Sequence, residues 1–152
     1  MLFLILKWLH VLSAIVAVGA NITYGFWMAR ASRDPKALPF TLRGIKLIDD
    51  RMANPAYVVL LITGLAMAHA GGFSIKAPWL FTALILYVLV AAIGLFGYTP
   101  NLRRQIQSLD SEGFQSPQYQ ALARRGTMLG AVLGILTMVI VFLMVVKPGL
   151  WA

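Results

Sequence analysis

Long apolar runs alternate along this chain with short charged connections. A helix needs about 20 apolar residues to cross the hydrocarbon core of a bilayer. Four stretches reach or approach that length: residues 2–29, 53–70, 78–98 and 126–146. The first is long enough to tilt or to project beyond the bilayer. The second opens on Asn54-Pro55, a capping residue followed by a first-turn proline. The third is stopped by Thr99-Pro100 and the fourth by Lys147-Pro148-Gly149. In the first connection, Leu42, Ile45, Ile48 and Met52 recur at helical spacing with Arg43, Lys46 and Asp50 between them. That pattern predicts a short amphipathic helix at the membrane interface. The third connection carries Ser108, Asp110, Ser111, Glu112, Gly113, Ser116 and Pro117, and reads as a polar linker. No internal repeat stands out. The expected fold class is all-α: an integral membrane four-helix up-down bundle, one transmembrane domain over residues 1–152, with an amphipathic interfacial helix in the first connection.

Composition sharpens this picture. Sixty per cent of residues are apolar and 12% charged, where a soluble domain carries roughly 25% charged residues. The formal net charge is +8, but the basic residues fall between the spans, which points to lipid headgroups rather than nucleic acid. Ten of the 13 lysines and arginines lie in two connections. Arg30, Arg33, Lys36, Arg43, Lys46 and Arg51 are in the first, and Arg103, Arg104, Arg124 and Arg125 in the third. The positive-inside rule places those connections in the cytoplasm and both termini outside. Trp8, Trp79 and Trp151 then form an aromatic belt at the outer interface, with Trp27 and Tyr98 at the inner one. Val18-Gly19-Ala20 resembles a signal-peptide cleavage site, but no positive charge precedes the apolar run and Lys7 and His10 interrupt it, so the first span is expected to be retained. The chain has no cysteine, which excludes disulfides, thiolate metal sites and Cys-linked haem.

The candidate chemistry gathers on the outer side. Lys7 and His10 lie near the outer end of helix one, His69 ends helix two, Lys76 precedes helix three, and Lys147 ends helix four. His10 is about 12 Å along the helix from Leu2. An ionisable residue within a span is a functional-site hypothesis by default. At about 100° per residue, His10, Ser13, Ala17, Asn21 and Tyr24 share one sector of helix one. Leu12, Ile15 and Ile22 lie opposite, so His10 is expected to face the bundle. Helix four carries Gly126, Gly130 and Gly134, a strip that lets another helix approach closely, in this chain or in a homo-oligomer or larger complex. No Asp or Glu lies in any span, which counts against a metal-only site and against proton transport. Haem b needs one or two neutral ligands and an apolar slot. His10 is the natural proximal ligand. The second position is open between His69, Lys76, a methionine such as Met138 or Met144, and no protein ligand. Lys7, Lys76 and Lys147 suit haem propionates, and Asn21 is a further polar contact on the same stripe. A cofactor-free subunit, in which His10 only bonds a neighbouring helix, is the alternative.

Four short motifs carry a resemblance. Leu6-Lys7-Trp8-Leu9-His10 is similar to the LK-x-x-H opening of HemJ-type membrane proteins. Arg51 and Pro55 followed by Thr63-Gly64 resemble their second helix, Lys76 stands where they have a lysine opening helix three, and Val145-Val146-Lys147-Pro148 matches their ending. HemJ proteins are bacterial four-helix, haem-b-binding protoporphyrinogen oxidases. The resemblance implies His10 as haem ligand, Lys76 as a functional lysine, a porphyrin or quinone partner, and a bacterial inner-membrane location. Two features depart from it. Helix three has Tyr87-Val88-Leu89-Val90 in place of a Y-H-G element, and helix one has Val16-Ala17-Val18-Gly19 in place of W-F-A-G. In these respects the chain is more similar to the predicted integral membrane proteins of domain-of-unknown-function family 2269. Those share LK-x-x-H-V-L, an element like Phe26 to Ala31, and an ending like Leu143 to Pro148.

Overall fold

The computed structural model describes residues 1–149; Trp151 of the expected aromatic belt lies outside them. Six helices follow one another: α1 (Leu2–Ala31), α2 (Leu38–Ile48), α3 (Asn54–Ala70), α4 (Pro78–Ala92), α5 (Thr99–Glu112) and α6 (Pro117–Val146). Two π turns, Asp49–Ala53 and Ile93–Tyr98, fuse α2 to α3 and α4 to α5. The described residues therefore form four continuous helical rods, each long and apolar enough to cross a membrane. The expected all-α four-helix membrane bundle is what the structure shows.

Helix α1 makes its most extensive contact with α3, and α6 packs between α1 and α4. The α3–α4 side is closed by side chains rather than by close backbones. The Tyr87 hydroxyl donates to the Tyr57 carbonyl at 2.7 Å, and the two rings meet edge to face at 6.5 Å. The stripe on α1 points inward as its spacing requires: Ala17 and Tyr24 are buried, His10, Ser13 and Asn21 half-buried, and Leu12, Ile15 and Ile22 exposed.

The third connection corrects the sequence reading. Residues 99–112 are helical, α6 begins nine residues before position 126, and only a short break around Gly113 (φ +82°) separates the two helices. Thr99-Pro100 does not stop the helix. Proline lacks an N–H and its ring clashes with the carbonyl four residues back. Here a π turn immediately precedes it and shifts the hydrogen bonds to i→i−5, so Thr99 N–H reaches Gly94 O and Pro100 opens the next helix. Asn54-Pro55 works the same way after the first π turn, where Asn54 N–H reaches Asp49 O. Asn54 is a junction residue within one rod, not a free helix start.

Helix α2 is amphipathic as expected, but its apolar face turns onto protein. Leu38, Leu42 and Ile45 are buried with Tyr24, Ala31, Leu102 and Tyr119. This cluster, at the Arg-rich end, is where the large buried apolar side chains concentrate. Phe40 and Leu47 lie on the far side of α2, 85% and 59% exposed, and are free to meet lipid. Arg43 of α2 bonds both carboxylate oxygens of Asp110 on α5 at 2.9 and 3.0 Å. Both side chains are well exposed, and exposed ion pairs contribute little. Arg43→Ala is expected to cost less than about 1 kcal/mol, read as a small drop in the thermal unfolding midpoint.

Candidate functional site

His10 meets α3 at Thr63-Gly64. Its Nδ1 lies 3.0 Å from Thr63 Oγ1 and 3.1 Å from the Leu60 carbonyl oxygen. A carbonyl can only accept. The Thr63 hydroxyl spends its proton on the Val59 carbonyl at 2.6 Å, so towards His10 it also accepts. Both partners therefore require a proton on Nδ1, and in the neutral imidazole Nε2 then keeps its lone pair. A metal-ligating histidine is oriented in this way, with the other ring nitrogen donating to a backbone carbonyl. Gly64 makes the approach feasible: a Cβ there would stand 3.1 Å from His10 Cε1. The Thr63-Gly64 pair thus has a physical role, as the seat of the imidazole. Its involvement with His10 is not visible from spacing within either helix.

Below His10 runs a second group of polar contacts. Asn21 Nδ2 donates to Tyr57 Oη at 2.9 Å and to the Ala17 carbonyl at 2.8 Å. With the Tyr87 bond, Tyr57 ties together α1, α3 and α4. Asn21 is accordingly occupied in the bundle's own network, 11 residues along α1 from His10.

The other expected site residues are dispersed. His69 is exposed and sits nine residues after Leu60, two and a half turns on, so it leaves α3 on the side away from His10. The structure does not bring the two histidines together. Lys7 and Lys76 are exposed at the same end of the bundle. Lys147 caps α6 in a left-handed conformation (φ 50°) and holds its ammonium 5.2 Å from the centres of both the Phe73 and Trp79 rings. That cation–π contact pins the end of α6 to the connection between α3 and α4. The glycine strip is divided: Gly126 lies against Asn101 and Gln105 of α5, Gly130 is at ordinary contact distance from Tyr98, and Gly134 has open space.

At the Arg-rich end the structure buries a carboxylate that local reading treats as solvated. Asp49 is 6% exposed, next to Asp50, which pairs with Lys46. It accepts from Asn54 Nδ2 at 3.3 Å and from Thr99 Oγ1 at 3.5 Å, so it joins the two π-turn junctions. The available signal was positional: Asp49 follows Leu42 and Ile45 on the buried face of α2.

The profile of a family described as a predicted integral membrane protein, DUF2269, matches residues 4–148. The chain belongs to this family. Nothing among curated proteins or solved structures matches it. Membership agrees with the four spanning rods, and it covers both His10 and the Thr63-Gly64 seat. In this DUF2269 member the LK-x-x-H opening and the T-G pair are thus two sides of one contact.

Proposed function

We propose that the protein binds haem b through Nε2 of His10 and takes part in redox chemistry of the bacterial inner membrane, by HemJ-like oxidation of a porphyrin or by electron transfer with a quinone. The positive-inside rule places the Arg-rich end in the cytoplasm and His10 in the outer half of the bilayer. The observation that carries the reading is the seat of His10 Nδ1 between the Leu60 carbonyl and the Thr63 hydroxyl; a neutral imidazole held there keeps its proton on Nδ1 and offers Nε2 as a nitrogen donor within a membrane span. The donor chemistry fits haem iron with one protein ligand, since His69 leaves α3 on another side. Bound haem would supply one-electron chemistry. The chain's own part is to hold the imidazole proton at the Leu60 carbonyl and Thr63, and to exclude water with the α1–α3 contact. The exposed ammonium groups of Lys7 and Lys76 are suited to propionate carboxylates; Lys147 already serves the aromatic clamp.

Purified protein, with haem supplied during expression, is expected to show a Soret band and a b-type pyridine haemochrome. A colourless preparation overturns the reading. It would favour the second one, a cofactor-free subunit of a larger complex, to which the open face at Gly134 is suited. The catalytic role of Lys76 is tested separately. Lys76→Met is expected to keep the haem and to lose rescue of a protoporphyrinogen-oxidase-deficient strain. Rescue at wild-type level removes Lys76 from the site.

A further inference from the structure

Asp49 has no role in the haem reading, yet its position is costly. Among the described residues the two ion pairs are Arg43–Asp110 and Lys46–Asp50, and neither includes it. Its two hydrogen-bond donors are neutral and at long range. An ionised carboxylate withdrawn from water without a cation is strongly disfavoured. Asn54 and Thr99 touch it, and the charged and titratable groups within its electrostatic reach are Asp50 and Lys46 from its own rod, Tyr57 from α3, Tyr24 from α1 and Tyr98 from the second π turn. The only cation in that set, Lys46, is committed to Asp50. Tyr24 supplies a second, independent sign. It is 4% exposed, within electrostatic reach of Asp49, and its hydroxyl has no partner among the described residues. Both π turns converge on the same carboxylate through Asn54 and Thr99, and π turns are frequent at functional sites. Each is followed by a proline that offers no N–H, so in the shifted frame the Asp50 and Leu95 carbonyls also lack a helical donor.

We propose that Asp49 is a proton-binding site at the Arg-rich end of the bundle, seated between the two π-turn junctions at Asn54 and Thr99. The step is a simple protonation. A proton from water at that face adds to a carboxylate oxygen, the burial penalty of the charge is removed, and release to water reverses it. The site is independent of the haem reading and stands or falls separately.

The experiment uses the full chain in lipid nanodiscs with carboxyl-¹³C aspartate, which labels only Asp34, Asp49, Asp50 and Asp110. One carboxyl signal is expected to stay protonated at a pH where the other three have ionised. It should vanish in Asp49→Asn and persist in Asp50→Asn. Asparagine has the shape of the protonated acid, so the variant is expected to fold. Thr99→Val gives a check with Asp49 in place: losing a donor to the ionised form should move only that signal's titration to higher pH. Four ordinary titrations would overturn the proposal. So would an unusual signal that survives in Asp49→Asn, or an ionised Asp49 whose signal moves with sodium concentration, which would assign a metal cation instead.

Discussion

Alanine at position 10 is expected to abolish the Soret band of the purified protein while the bundle stays folded. The two halves of that result have separate causes. Removing the imidazole removes the Nε2 donor on which the proposed haem binding rests. The effect on stability is smaller because no buried group is orphaned. The Leu60 carbonyl remains within a helix, and the Thr63 hydroxyl keeps its bond to Val59. Interhelical hydrogen bonds in membranes contribute about 0.6 kcal/mol on average, and the small void left beside Gly64 adds a cavity cost of similar order to that of one or two methylenes, about 1 kcal/mol each. Thr63→Val provides the intermediate case. Nδ1–H retains Leu60, so the tautomer persists with a weaker anchor. Second-shell losses of this kind cost roughly 10–100-fold in affinity. Haem occupancy at limiting haem is therefore expected to fall in Thr63→Val and to vanish in His10→Ala, with circular dichroism unchanged in both. Full occupancy in His10→Ala would remove His10 as the ligand.

The spans and the inward stripe of α1 were legible because lipid imposes a simple pattern. A helix in hydrocarbon must be apolar outside, so the sector holding His10, Asn21 and Tyr24 could only face protein. Local punctuation failed at Thr99-Pro100, since a proline reads as a stop unless the register has already shifted, and hydropathy carries no trace of a π turn. Helix α5 was missed for a different reason. Its buried face is polar: Asn101, Gln105 and Ser108 recur at helical spacing and are all buried, so a search for apolar periodicity passes over it. Asp49 was hidden by its neighbours, because Asp-Asp-Arg resembles a solvated charge cluster whichever side of the helix meets the core. The candidate site was half legible in the same sense. His10 stands out by cost alone, whereas its partners Leu60 and Thr63 lie 50 and 53 residues away and only the packed α1–α3 contact joins them.

Leucine at Gly126 is expected to be the most destabilising change on the glycine strip, and the same substitution at Gly134 nearly neutral. Even a Cβ at Gly126 would come within 3.1 Å of Asn101 Nδ2 and 3.4 Å of Gln105 Oε1. Alanine is tolerable, because both neighbours are ends of flexible side chains. Leucine is not, because the remaining atoms must displace Asn101, which donates to the Leu122 carbonyl at 3.0 Å. Overpacking of this kind costs about 1–3 kcal/mol, and leaving a buried amide unpaired adds about 1–3 kcal/mol. At roughly 2–4 °C per kcal/mol for a chain of this size, the unfolding midpoint should fall by about 4–24 °C. Gly134 has nothing within 4 Å, so leucine there changes the isolated chain little. That contrast also separates the two uses of the strip. If Gly134 faces lipid, Gly134→Leu keeps both the midpoint and the elution position of the wild type. If a second copy or a larger complex packs on this face, the midpoint of the isolated chain is preserved but the assembly is lost, and the protein elutes as a smaller species.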